Sequence, residues 1–319
     1  MYILTGLIGG EVAARITAYL RTTKTTLSGK GYYRLDSELG YVLVSGKTVN
    51  GIKFDSLGFR GKEYSTKKPK DMFRILCVGN YITFGAIASA DSTTYPAILE
   101  NTLTMAKGRR ITIEVMNCGV NGYSSRQSLL DLHLHLLSLK PDAIILCTGW
   151  NDMILSKQVG WHRELTGLLN RDYFTFRESF LWWMLRTKLL RLPATVAQDR
   201  LADFRHNVED FGRTCDSSGV ILMLLDLPTI LSEQMTESEK ANFLKSTFKP
   251  GEEPLFLAYR QVILDVAAQF HHQLLSSTLN YDHFNKDSLI VDNCHPNNRG
   301  YRTMVSEIAP QVERLIPRN

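Results

Sequence analysis

Asp292 and His295, three positions apart near the C-terminus, are the most chemically suggestive pair in the sequence. A carboxylate at that spacing can accept the imidazole Nδ1 proton, which fixes the tautomer and leaves Nε2 as a general base. Pro296 and a Gly300 turn into a closing helix distinguish the pair from a chance DxxH. A base also needs a reacting group and a means of holding developing negative charge. Gly119 and Asn151 suit the second task. A glycine lets a backbone N–H approach an oxygen closely, and an amide side chain can donate from the next loop. Plainer roles compete: Gly119 as a turn glycine, Asn151 as a helix N-cap or Asx turn. The reacting group is expected in Gly79-Asn80-Tyr81-Ile82-Thr83, where an apolar strand ends at a glycine and turns sharply. A serine nucleophile belongs just after such a turn. Here the residue is Tyr81.

For these segments to converge they must sit at the carboxyl ends of parallel strands. From Phe73 onward the period is β-α-β-α. Ile75–Val78, Ile111–Met116, Ala143–Cys147 and Val220–Leu225 are apolar runs suited to strands buried on both faces, and Leu289–Val291 reads as a short fifth. Pro96 marks a helix start, with Tyr95, Leu99 and Leu103 at helical spacing. Ser124 or Ser125 can cap a helix bearing Leu129, Leu132, Leu136 and Leu139, and Tyr301–Leu315 reads as a closing helix. This alternation predicts an α/β protein with a three-layer, doubly wound parallel sheet.

Two segments break the alternation after strand ends, 153–195 and 228–256, and either could cover a site. Ahead of the sheet, residues 9–27 read as a helix and 31–61 as strands and turns closed by Gly58 and Gly61. The expected division is an N-terminal helix and β-rich appendage over 1–70 and the α/β domain over 71–319.

The chain has 319 residues, 44% hydrophobic, with a net charge of +5, which suits a globular protein and gives no concentrated basic patch. Lys67, Lys68 and Lys70 read as a solvated linker, so no nucleic-acid partner is expected. The five cysteines contain no CxxC pair, and Cys77, Cys118 and Cys147 fall in or beside apolar strands as reduced core thiols would. His133/His135 and His271/His272 lack metal-ligand spacing, and no metal is expected. Met1–Ile8 is apolar, but Glu11 and Arg15 interrupt it before a membrane span is reached. It reads as an amphipathic helix or as the tail of a membrane anchor. Localisation is therefore cytoplasmic as written, and membrane-anchored or exported if an anchor precedes it.

Four blocks in order resemble those of the SGNH, or GDSL-type, hydrolases. Gly79–Gly85 resembles the first, Asn117–Gly122 the second, Gly149–Asp152 the third and Asp292–His295 the fifth. Asp91–Pro96 and Gly58-Phe59-Arg60-Gly61 resemble a bacterial branch, and the likeness covers about residues 54–315. The resemblance implies a flavodoxin-like α/β/α fold and hydrolysis of esters, such as O-acetyl groups on sugars or acyl chains on lipids. It implies His295 as base, Asp292 as its orienter, and Gly119 and Asn151 as oxyanion donors, with no metal or organic cofactor. The partners it implies are a small ester or an acylated glycan or lipid.

Two positions depart from the pattern. Asn80 replaces the usual aspartate, and Tyr81 replaces the nucleophilic serine. A tyrosine carries its oxygen several ångströms further out on a rigid ring, into the space meant for the substrate carbonyl. Thr83, Cys118, Cys294 or a water activated by His295 are the substitutes within reach. The sequence thus leaves two readings open: an esterase scaffold with activity lost or altered, and a non-catalytic module that binds a glycan or acyl ligand in the same cleft. A flavodoxin-like nucleotide binder shares the fold but would need a phosphate-cradling loop, and a single glycine at 79 does not make one. Trp150, Trp161, Trp182 and Trp183 suit either ligand stacking or a secondary core.

Overall fold

The computed structural model describes residues 31–105, 110–157, 197–229, 253–277, 289–290 and 294–317. They fall into two compact units, one holding 31–44 and the described parts of 154–200, the other the described parts of 45–153 and 201–319. In the first, β1 (Tyr33–Asp36) and β2 (Gly40–Leu43) form an antiparallel hairpin with Asp36 opposite Gly40. Asp36 Oδ1 accepts the N–H groups of Glu38 and Leu39 and so closes the turn. The expected helix at 9–27 lies outside the described residues.

The second unit begins with a hairpin of β3 (Lys47–Val49) and β4 (Ile52–Phe54). Asp55 Oδ1 then accepts from Leu57 and Phe59 in a tight turn that leads to Arg60. Its centre is a five-stranded parallel sheet of β5 (Met72–Gly79), β6 (Thr112–Gly119), β7 (Ala143–Cys147), β8 (Ile221–Leu225) and β9 (Gln273–Leu275). The order β6-β5-β7-β8-β9 is the flavodoxin-like one, 2-1-3-4-5. Residues 75–78 and 143–147 are fully or almost fully buried, as strands covered on both faces must be.

The helices are α1 (Tyr81–Phe84), α2 (Tyr95–Met105), α3 (Ser125–Leu134), α4 (Trp150–Lys157), α5 (Ala197–Ser217), α6 (Glu253–Gln269) and α7 (Asn298–Glu313). Helices α2 and α7 pack together in one outer layer. In the other, Asn207 of α5 donates to Ser125 Oγ of α3, and Arg205 of α5 pairs with Asp265 of α6. This is the expected three-layer α/β/α arrangement.

Three local readings change. The fifth strand is Gln273–Leu275 rather than Leu289–Val291, because a short edge strand covered on fewer sides carries no apolar run. Ile290 makes only an isolated bridge to Pro296, and Val291 lies outside the described residues. Strand β6 also runs on through Gly119, paired with Gly79. Finally, α3 ends at Leu134, so Leu136 and Leu139 are buried from a separate 3-10 turn.

Candidate active site

The flavodoxin-like order reverses direction between β5 and β7, the place at the strand ends where sheets of this order hold their ligands. Gly79, the last residue of β5, pairs there with Cys147 of β7 on one side and Gly119 of β6 on the other. It has φ +152°, and a Cβ on it would lie 2.1 Å from the Cys147 carbonyl oxygen. Only glycine fits this junction. The chain then turns into α1, with Asn80 as N-cap, its Oδ1 accepting from Ile82 N at 3.2 Å. Tyr81 is therefore the second residue after the strand and the first of α1, half-buried, on a turn whose backbone is fixed.

That turn is held from several sides. Gly85 closes it in the left-handed conformation, its N–H donating to Tyr81 O at 2.9 Å. Arg60, 2% exposed, donates from Nη1 to the carbonyls of Phe84 (3.0 Å) and Gly85 (2.7 Å) and from Nε to Asp91 (2.8 Å). Its guanidinium lies over the Phe84 ring, 5.0 Å from the centroid. Asn117 Nδ2 also donates to Phe84 O, at 3.3 Å. Beneath the turn, Thr83 Oγ1 and Tyr95 OH are 3.3 Å apart, and Tyr301 OH donates to Ile82 O at 3.0 Å.

His295 comes to Tyr81 from the loop before α7. The two ring centroids are 4.4 Å apart, with the planes at 41°. Cys294 Sγ lies 3.8 Å from His295 Nδ1. Asp292 lies outside the described residues. Asn297 caps α7, its Oδ1 accepting from Arg299 N (2.8 Å) and Gly300 N (3.0 Å).

Gly119 sits against α1: a Cβ there would lie 2.3 Å from Phe84 N. Its own N–H donates to Asn117 Oδ1 at 3.1 Å. Three residues on, Gly122 has φ +86°, and its N–H has no partner among the described residues. Asn151 occupies the first turn of α4, and its Nδ2 donates to Tyr123 O at 2.9 Å, joining the loops after β6 and β7. One amide hydrogen satisfies that bond, which leaves the second for another acceptor. Asp152 anchors the same turn by accepting Ser125 N (3.0 Å) and Ser125 Oγ (2.6 Å). Burial raises the pKa of its carboxyl, and the Ser125 bonds oppose the shift.

The structure brings together Tyr81, His295, the Gly119–Gly122 turn and the Asn151 turn. Trp150 packs in the core, 1% exposed, with its indole N–H donating to Pro228 O at 3.2 Å and its ring 4.8 Å from Phe256. Trp161, Trp182 and Trp183 lie outside the described residues. Thr83 and Cys118 are buried, and burial pushes the Cys118 thiol well above its ordinary pKa. Arg60 and Tyr301 escaped the sequence reading as parts of the site, although Arg60 carried a signal in the Gly58–Gly61 turn; Asn117 stood at the head of the Asn117–Gly122 block without a role of its own.

No protein-family model matches the sequence, and no curated protein does. Solved structures do match. A lipase/acylhydrolase from Enterococcus faecalis aligns with a TM-score of 0.50 at 17% identity, over 78% of this chain and 99% of that one. An acetylxylan esterase from Geobacillus stearothermophilus aligns with a TM-score of 0.50 at 15% identity, over 77% of this chain and 95% of that one. At these identities the likeness is one of fold, and the chain has the fold of the SGNH/GDSL-type hydrolases.

Proposed function

We propose that the chain is an SGNH/GDSL-type ester-hydrolase scaffold in which Tyr81 fills the nucleophile position, so that hydrolysis of carbohydrate O-acetyl or acyl esters is lost or altered. The observation that carries this reading is the place of Tyr81. It is the first residue of α1, two positions after β5 ends, at the switch point of the sheet, with its ring against His295. In this reading His295 is the general base and Asp292 orients it. Oxyanion donors come from Asn151 Nδ2 and from the turn that begins at Gly119. Within that turn Gly122 N–H suits the role, since Gly119 N–H already donates to Asn117.

A serine at this position would pass its hydroxyl proton to His295 as its oxygen bonded the ester carbonyl carbon. The carbonyl electrons would move onto the oxygen facing the donors. Collapse would expel the alcohol, which takes the proton back from the imidazole. Water would then free the acid by the same route. The Tyr81 ring displaces that geometry. Its hydroxyl lies beyond the ring, and the ring occupies the approach to the base.

The half-buried Tyr81 ring beside His295 also favours a second reading, a non-catalytic site that binds an acylated glycan or acyl ligand against an aromatic face. The acetylxylan esterase among the structural neighbours makes acetylated xylo-oligosaccharides a sensible first ligand to test. Turnover of p-nitrophenyl acetate by the Tyr81→Ser protein, against the same protein with His295→Ala, tests the first reading. Calorimetric binding of acetylated xylo-oligosaccharides to the unaltered chain, without release of acetate, tests the second.

A further inference from the structure

We infer that Tyr301 is a positioning residue for the pair at 81 and 295: its hydroxyl sets where the turn carrying position 81 sits against the loop carrying His295. The meaning for catalysis rests on the esterase reading above, whereas the geometric claim does not.

Helix α1 has four residues, too few to satisfy all its carbonyls within the helix: Tyr81 O accepts from Gly85 N–H. Distant side chains reach carbonyls further along the turn. The Phe84 and Gly85 carbonyls go to Arg60, whose segment carries none of the candidate site residues. The Ile82 carbonyl goes to Tyr301, which is 0% exposed and stands on the helix that the His295 loop leads into.

The path from Tyr301 back to His295 is short and stiff. Asn297 N donates to Leu289 O at 2.9 Å, Tyr301 N donates to Asn297 O at 2.9 Å, and the Asn297 side chain caps the helix. At Gly300 a Cβ would lie 2.1 Å from Leu289 O, so this turn has little room to shift. The Tyr301 ring packs 6.5 Å from the Tyr95 ring, whose hydroxyl meets Thr83 Oγ1 of the same α1 turn. A second tie lies nearer solvent. Ser89 N donates to Asn298 Oδ1 at 3.2 Å, and Asn298 Nδ2 donates to Ser89 Oγ at 2.6 Å. The rings of residues 81 and 295 therefore meet because α7 is fastened to α1 at one buried point and to Ser89, in the loop that follows α1, at one outer point.

The test compares Tyr301→Phe with Tyr64→Phe. Tyr64 OH also donates to a buried carbonyl, Val115 O at 3.1 Å, so the two changes remove equivalent bonds and only one touches α1. The first readout is the imidazole C–H proton signals of His295, which feel the ring current of Tyr81. Tyr301→Phe should move them and Tyr64→Phe should not. The second readout is p-nitrophenyl acetate hydrolysis in the Tyr81→Ser background. There Tyr301→Phe should lower kcat about tenfold or more with KM within about twofold, as a misplaced reacting group does. Asn298→Ala, which cuts only the outer tie, should move the same signals in the same direction and serves if Tyr301→Phe fails to fold. Equal His295 shifts in the Tyr301 and Tyr64 variants, or none in the Tyr301 and Asn298 variants, overturn the inference. An inactive Tyr81→Ser protein contradicts the esterase reading alone, and the His295 signals still decide the positioning role.

Discussion

The Tyr81 ring meets the His295 ring at a centroid separation of 4.4 Å, beside the end of β5 at the switch point of the sheet. The turn that carries Tyr81 is held by a glycine before it that no other residue could replace, a buried arginine behind it and a tyrosine hydroxyl beneath.

Gly79→Ala should be the most damaging small substitution in the sheet. The added Cβ meets the Cys147 carbonyl oxygen at 2.1 Å, a backbone atom that cannot step aside, and φ is +152°. A loss above about 3 kcal/mol, or failure to fold, is expected from a clash and strain combined. Gly219→Ala is the control, with φ +68° and nothing within 4 Å of the new atom. It should cost about 1–2 kcal/mol, the left-handed penalty alone. Urea denaturation of both variants measures the difference.

Arg60→Met should cost about 3 kcal/mol or more, since it strips a buried cation from Asp91 and removes one of the donors to each of the Phe84 and Gly85 carbonyls. Arg60→Lys should recover only part of this, because one ammonium cannot reproduce the guanidinium fork. Equal stability of the Lys variant and the parent in urea would contradict the clamp.

The strands of the central sheet were the most legible part of the sequence. The run Ala143–Cys147 predicts β7 with its full bounds, because a strand buried on both faces leaves a continuous apolar run. Strand β9 was missed for the converse reason: its Gln273 and Leu274 are only partly buried, and their residue types give no period. Tyr81 stood out because a sharp turn after an apolar strand is a local pattern. Tyr301 did not, since its partner Ile82 is 219 residues away in sequence and a buried helical tyrosine looks like any core residue. The bond from Gly119 N–H to Asn117 Oδ1 has no signature in the sequence, because it depends on a side-chain rotamer.

The five cysteines should be silent toward an aromatic disulfide reagent in the folded protein at about pH 8 and should all react in urea. All are buried free thiols, and burial pushes Cys147 and Cys215 up to about 12. Rapid modification of any one in the native protein would contradict this packing.

His272 should make the protein lose stability as the pH falls. Its side chain is 5% exposed and stacks 5.8 Å from Phe270, and its Nε2 has no partner among the described residues. Burial lowers its pKa, and Asp216, 3.9 Å from Nδ1, only partly opposes the shift. The unfolded chain therefore takes up the proton first. Stability is complete above the ordinary histidine pKa, about 6.5, and is lost as the pH falls through the lower folded value. Urea midpoints measured from about pH 7 down to about pH 5 should fall less in His272→Phe than in the parent. Parallel profiles would contradict the assignment.

The most direct test of the central claim is turnover of p-nitrophenyl acetate by three proteins side by side: the unaltered chain, Tyr81→Ser, and Tyr81→Ser with His295→Ala. The esterase-scaffold account predicts that only Tyr81→Ser hydrolyses the ester. It also predicts that removing the imidazole lowers that rate by about a thousandfold or more, as loss of the base does in a site of this type. Turnover by the unaltered chain at the rate of Tyr81→Ser, or activity in Tyr81→Ser that survives His295→Ala, would contradict it.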